Sequence, residues 1–238
     1  HPTKHGFDYF MGLTGGGTSP SNPTLEENGV VQPFEGLTTD ILTDRALAFI
    51  ERSQKEQRPF LLCFCTRAPH ASWLPVADED WEPYASLDPR IPEPEGLELD
   101  TKWVKNKIRE YLASTSGVDR NLGRLLERLD ALNLKDNTVV ILTSDHGYNF
   151  GHNGIWHKGN GIWATKIKPP GETHRGTKVI SDKYRPNLYD LSLRTPFIIR
   201  WPGEILPNTT IEETATSLDI YQTVLDIAGV SDDTNETP

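Results

Sequence analysis

The sequence predicts an α/β fold, a layered, mostly parallel or mixed β-sheet flanked by helices. Three features carry that reading: helical stripes alternate with short apolar runs, two of those runs are unbroken by polar residues, and long irregular stretches separate them. An unbroken aliphatic run of strand length suits a strand covered on both faces, which a layered sheet provides.

The elements follow in order. The opening His1 to Gly17, with its aromatics and the Gly15-Gly16-Gly17 run, reads as an irregular surface stretch. Thr39 offers an N-cap, after which Leu42, Ala46, Phe49 and Ile50 recur at helical spacing until a charged tail ends before Pro59. This helix feeds Phe60 to Thr66, read as a buried parallel strand. Alternation puts Cys63 and Cys65 on one face of it, as small packed hydrophobes rather than a disulfide or a metal site. Residues 74 to 100 hold Pro75, Pro83, Pro89, Pro92 and Pro94 among many acids, so a long surface loop is expected.

From Ile108 through Tyr111, Leu112, Val118, Leu122, Leu125 and Leu129 to Leu132 runs the longest helical stripe, interrupted at Gly117 and Gly123. Asn137 and Thr138 open the strand Val139-Val140-Ile141-Leu142. Residues 147 to 187, rich in Gly, Lys, His and Trp without periodicity, read as a long loop. Pro196 to Trp201 forms a strand stopped by Pro202-Gly203. Ser217 caps a last helix whose face is Tyr221, Val224, Leu225 and Ala228, with Gly229 as its stop.

The 238 residues, 36% hydrophobic and 24% charged, suffice for one large domain or part of one. A net charge of -10 argues against nucleic-acid or anionic-membrane partners. No apolar run approaches the roughly 20 residues of a membrane span, and the first residues show neither a basic leader nor a signal-peptide core.

Three places carry candidate chemistry. Thr143-Ser144-Asp145-His146-Gly147 sets a carboxylate and an imidazole just past the carboxyl end of a strand, the edge where open α/β sheets bind ligands. Asp145 suits a hard divalent cation, or else caps the next turn with His146 an exposed loop residue. His152 to Gly161 brings His152, His157 and Lys158 into a glycine-rich loop of the kind an anion site needs, although a lone Lys158 is ordinarily a solvated charge. Its Trp156, like Trp163, is either a carbohydrate platform or loop packing. Ala68-Pro69-His70 places His70 at a second strand edge, either suited to proton transfer or simply fixed by a backbone carbonyl.

Taken with His5-Gly6-Phe7-Asp8-Tyr9-Phe10-Met11-Gly12, Val118-Asp119-Arg120-Asn121-Leu122-Gly123, Leu193 to Gly203 and Leu218 to Gly229, these pieces resemble, in family order, the type I sulfatases of the alkaline phosphatase superfamily. The resemblance implies an alkaline-phosphatase-like fold, with residues 1–238 as the middle-to-C-terminal part of a catalytic domain. It implies Asp145 and His146 at a calcium site, Mg2+ being the alternative ion, and His146 also beside the nucleophile or sulfate. It implies Lys158 on the sulfate and bridging oxygen, and His70 near that oxygen to protonate the leaving alcohol. The nucleophile, a formylglycine made from Cys or Ser in a Cys/Ser-x-Pro-x-Arg signature, belongs to a segment before His5-Gly6-Phe7-Asp8. No such signature occurs in this chain, so the chain alone is expected to have no turnover.

The expected ligand is a sulfated small molecule or glycan, a carbohydrate sulfate above all, and the expected location periplasmic or secreted. A phosphodiesterase or phosphonate monoester hydrolase of the same superfamily is the nearest rival, and a noncatalytic sulfated-glycan-binding protein the next. Asn208-Thr209-Thr210 and Asn235-Glu236-Thr237 fit the glycosylation pattern, which matters only in a eukaryotic secretory setting. The sequence does not set the oligomeric state.

Overall fold

An Asn-Gly dipeptide organises the first element of the computed structural model, which describes residues 1–92, 98–168, 170–180 and 184–230. Asn28 and Gly29 both take positive φ, 48° and 90°, as a two-residue hairpin turn requires. They join β2 (Thr24–Glu27) to β3 (Val30–Pro33), with β1 (Met11–Gly12) antiparallel on the other side of β2.

Helix α1 (Thr38–Lys55) buries Leu42, Ala46 and Ile50, the spacing read from the sequence. Its N-cap position is Leu37, without a side-chain bond, so Thr39 lies inside the helix instead of capping it. Helix α2 (Asp78–Ala85) occupies part of the expected 74–100 loop. Asp78, Glu79 and Asp80 in its first turn complement the helix dipole, which offsets the interruption by Pro83. Pro94 lies outside the described residues. Helix α3 (Thr101–Ala131) starts on Asp100, whose carboxylate accepts from the Trp103 N–H at 3.1 Å, a cap worth about 1 kcal/mol.

Neither glycine interrupts α3. A Cβ on Gly117 would come 3.1 Å from Asp80 Oδ2, so the glycine lets that carboxylate close on the helix. Asp80, 4% exposed, then pairs with Arg120 at 2.9 Å, and Arg120 also reaches Asp40 at 3.0 Å. This cluster ties α1, α2 and α3 together. Both neighbouring carboxylates raise the Arg120 pKa further above its ordinary value.

Ala46, Ile50, Leu125 and Leu129 form one core cluster, against which Phe60, Leu62, Phe64 and Val140 pack. Residues 60 to 66 carry no assigned strand, although their exposure alternates as it does in one. Phe60, Leu62 and Phe64 point inward, while Leu61, Cys63 and Cys65 are exposed. The two thiols share a face, as alternation requires. They are not core residues, because only one side of this segment is covered among the described residues.

Strand β4 (Val140–Thr143) is followed by β5 (Asn149–Phe150), β6 (Ile155–His157), β7 (Asn160–Trp163), β8 (Glu172–His174), β9 (Thr177–Ile180) and β10 (Tyr184–Pro186). The stretch 147–187, read as loop, is thus a four-stranded sheet in the order β10-β7-β6-β5 plus the β8-β9 hairpin. After α4 (Asp190–Leu193), β11 (Phe197–Arg200) pairs with β4, and α5 (Asp219–Ile227) ends the described chain without burying any residue. Ser217 does not cap α5, whose N-cap is Leu218; Asp219 bonds the Thr216 N–H instead, at 2.6 Å. All ladders among the described residues are antiparallel. The Asn235-Glu236-Thr237 site lies outside them.

A second core cluster of Trp73, Leu99, Val104, Trp156 and Ala164 gathers Tyr111, Tyr148 and Phe150 around it. Trp156 is 3% exposed and stands 4.9 Å from the Trp103 ring, so its surface is spent on packing, not on a glycan.

Candidate active site

The candidate residues come from three places. Asp145 and His146 follow the end of β4; Lys158 follows β6; His70 sits in the turn after the extended 60–66 segment. The Asp145 carboxylate is 83% exposed and lies 3.5 Å from His146 Nε2. The Ser144 hydroxyl donates to the His146 carbonyl at 3.0 Å, bending the chain away from the strand direction.

His146 Nδ1 lies 2.6 Å from the Gly147 carbonyl, which can only accept, so the ring carries its proton there. In the neutral ring Nε2 is then an acceptor, and the Lys158 ammonium donates to it at 2.5 Å. That contact joins the β4 edge to the glycine-rich loop. It also occupies the lone pair that His146 would offer a metal, so the ring serves as a metal ligand only if Lys158 moves away.

His70 and His157 are held in the same way. His70 Nδ1 is 2.6 Å from the Ala71 carbonyl, and His157 Nδ1 is 3.1 Å from that of Lys158. His70 is exposed, and the turn carrying it is braced from both sides. Arg67 donates to the carbonyls of His70 (2.9 Å), Ser72 (2.7 Å) and Thr18 (2.6 Å), and the buried Trp73 indole N–H donates to Pro69 at 2.8 Å.

His157 ends β6, directly before Lys158. Burial pushes its pKa below the ordinary imidazole value; the Lys158 carbonyl opposes this, and the Lys158 charge pushes it further down. Its adjacency to Lys158 and the Gly-rich composition were the available signals, but β6 is too short for a sequence pattern to say which way His157 faces. His152, the other loop imidazole, lines a cavity with Tyr111 and Phe150, and desolvation lowers its pKa.

A divalent cation prefers hard oxygen donors, about six to eight of them for calcium. Among the described residues no group of three or more His, Cys, Asp or Glu side chains could hold an ion. Asp145 supplies one accessible carboxylate with the right chemistry. The remaining ligands of an ion held there must come from other groups.

The family model described as Sulfatase matches residues 1–230. The sulfatase YdeN of Escherichia coli is 28% identical over 231 residues, 97% of this chain and 34% of the relative. The N-acetylglucosamine-6-O-sulfatase of Bacteroides thetaiotaomicron is 24% identical across 94% of this chain and 49% of its own length, and the N-acetylgalactosamine-6-sulfatase of Canis lupus familiaris 26% across 97% and 40%. The chain therefore spans less than half the length of these relatives.

Among solved structures, one in complex with its substrate D-glucosamine-2-N,6-O-disulfate superposes with a TM-score of 0.74, at 22% identity, over 97% of this chain and 56% of that one. A phosphonate monoester hydrolase from Silicibacter pomeroyi reaches 0.51 at 20% identity, over 80% and 38%. The α/β fold is thus that of solved sulfatases, with the phosphonate hydrolase a more distant neighbour.

Proposed function

Because the chain belongs to the sulfatase family, we propose that the protein carrying it hydrolyses a sulfate ester, and that Lys158, His70 and Asp145 take part. The observation that carries this reading is the contact of the Lys158 ammonium with His146 beside the exposed Asp145 carboxylate.

Each role follows from charge and geometry. A sulfate monoester presents anionic oxygens, and in the reaction charge grows on the oxygen bridging sulfur to the alcohol. The Lys158 ammonium, fixed at a loop turn and partly withdrawn from water, offsets that charge as a preorganised donor. His70, with Nδ1 tied to a carbonyl, presents Nε2 for proton transfer to the leaving alcohol. Asp145 contributes one ligand to a divalent cation, Ca2+ with Mg2+ as the alternative, which would draw charge from the sulfuryl oxygens, while a formylglycine from elsewhere in the protein would supply the nucleophile. His146 orients Lys158 through Nε2, and it contacts the sulfate only when that bond opens and Nε2 takes up a proton, since Nδ1 is held by the Gly147 carbonyl.

The ligand in this proposal is a carbohydrate sulfate. Two of the relatives named above act on N-acetylhexosamine 6-sulfates, and the solved neighbour holds a disulfated glucosamine. The location we propose for the reaction is the periplasm or the outside of the cell. No described helix is long and apolar enough to cross a membrane.

The test is the full-length, maturation-competent protein assayed with calcium on an aryl sulfate and an aryl phosphate diester, beside Asp145→Ala and Lys158→Ala. The expected result is sulfate release in the wild type, with kcat reduced about 100-fold or more by removal of Lys158, the scale of losing one charge-stabilising donor. A preference for the phosphate diester would transfer the function to the rival hydrolases. Full activity in both variants would remove these residues from the mechanism.

A further inference from the structure

The segment after β10 inverts the usual burial pattern. Leu188, Tyr189, Leu191 and Leu193 are 77%, 42%, 45% and 57% exposed, whereas the polar Asn187 and Ser192 among them are 1% and 3% exposed. Burying an amide and a hydroxyl is unfavourable unless each is hydrogen-bonded, and here each is. Asn187 Nδ2 donates to the His157 carbonyl at 2.6 Å; the Ser192 hydroxyl donates to Asn187 Oδ1 at 2.9 Å; the Ser192 carbonyl accepts from the Gly147 N–H at 3.0 Å.

The result is one continuous bonded path from the backbone beside Lys158 to the backbone beside His146. Both ends need holding. His157 has φ +92°, outside the conformations that a side-chain-bearing residue readily adopts, and its carbonyl leads directly into Lys158. Asn149, paired with His157 across β5 and β6, gives no side-chain help, since neither of its amide atoms has a partner among the described residues.

We propose that Asn187 and Ser192 are positioning residues for the sulfate-ester site, a buried brace that fixes Lys158 against His146. This rests on the function proposed above. Neither residue reaches substrate, because both are sealed beneath the loop they hold. The brace acts by keeping the ammonium where charge develops, and a displacement of about 1 Å in such a group costs up to about 100-fold in rate.

The experiment uses the full-length protein with two substitutions. Asn187→Asp keeps the size and the acceptor for Ser192 but loses the donor to His157; Ser192→Ala loses the link between Asn187 and α4. Steady-state kinetics on the aryl sulfate are paired with amide hydrogen exchange and a thermal melt. Asn187→Asp should lower kcat about 10- to 100-fold with KM within about threefold. Exchange should rise about fivefold in the segments holding Gly147 and Lys158 while α1 and α3 keep their protection. Ser192→Ala should do the same more weakly.

Unchanged local exchange in both variants overturns the brace. Raised exchange with unchanged kcat overturns its role in positioning. A fall in kcat with α1 and α3 equally deprotected also overturns it, because the effect is then general unfolding. A wild type inactive on sulfate esters but showing the local exchange response would sink the sulfatase reading while supporting the brace.

Discussion

Replacing Gly147 by alanine tests whether α4 is packed on the end of β4 as tightly as described. A Cβ built there would stand 2.3 Å from the Leu191 carbonyl oxygen and 2.5 Å from that of Arg194, both backbone atoms, at distances that real Cβ atoms essentially never show. Nothing flexible can move aside, so the turn carrying Leu191 and Arg194 must shift as a unit. Overpacking of this kind costs about 1–3 kcal/mol, and the same shift stretches the 3.0 Å bond from Gly147 to Ser192, worth about 1 kcal/mol more. A loss of about 2–4 kcal/mol corresponds to a fall in Tm of about 5–15 °C for a domain of this size. Gly147 does not have positive φ, so alanine probes the steric contact alone.

The assay is a thermal melt and urea unfolding of Gly147→Ala beside Gly123→Ala. Gly123 lies inside α3 with nothing within 4 Å of a built Cβ, so alanine there should stabilise by about 0.5–1 kcal/mol through helix propensity. Opposite signs for the two substitutions are expected. Gly147→Ala melting within 1–2 °C of wild type, a shift of less than about 1 kcal/mol, would refute the packing argument.

Two further outcomes follow from the core and the titrating groups. Asp80→Ala leaves a quarter-exposed Arg120 with Asp40 as its remaining strong partner; removing one member of a buried pair costs about 3–5 kcal/mol, and the surviving contact puts the loss near 3, read from urea unfolding. His152 is held below its ordinary value of 6.5 by burial, with Nδ1 lacking a partner among the described residues. Its neutral form is therefore favoured in the native state, and the unfolded chain binds the proton more readily. Stability contributed this way is present above pH 6.5 and lost as pH falls through the depressed folded value. His152→Gln should flatten the dependence of Tm on pH between about 5 and 7, and an unchanged slope would count against the burial argument.

What the sequence revealed depended on the length of each element. The stripes of α1 and α3 run over 18 and 31 residues, long enough for a 3.6-residue period to be unmistakable, and the unbroken runs marked β4 and β11. Strands β5 to β10 have two to four residues each, too short for any period, so their sheet read as loop. Asn28-Gly29 is a hairpin signal for β2 and β3, but the flanking residues lack the alternation that marks strands. Pro83 concealed α2, whose stability comes from a long-range partner, Arg120, that no local pattern shows.

The candidate site divides along the same line. Asp145, His146, Lys158 and His70 stand out in the sequence as candidates because each follows an apolar run or lies in a glycine-rich loop; their roles are proposals that rest on the family resemblance. Their relation was not legible. That Lys158 bonds His146, and that three imidazoles are each tied at Nδ1 to the following carbonyl, depends on loops folding back across the sheet edge. The support beneath them was concealed most completely. Asn187 and Ser192 stand in a stretch whose leucines suggest a buried face and whose polar residues suggest solvent, and the structure reverses both. Hydrophobic pattern reports what water excludes; a bonded polar path between two loops is chosen for geometry, and only the folded chain displays it.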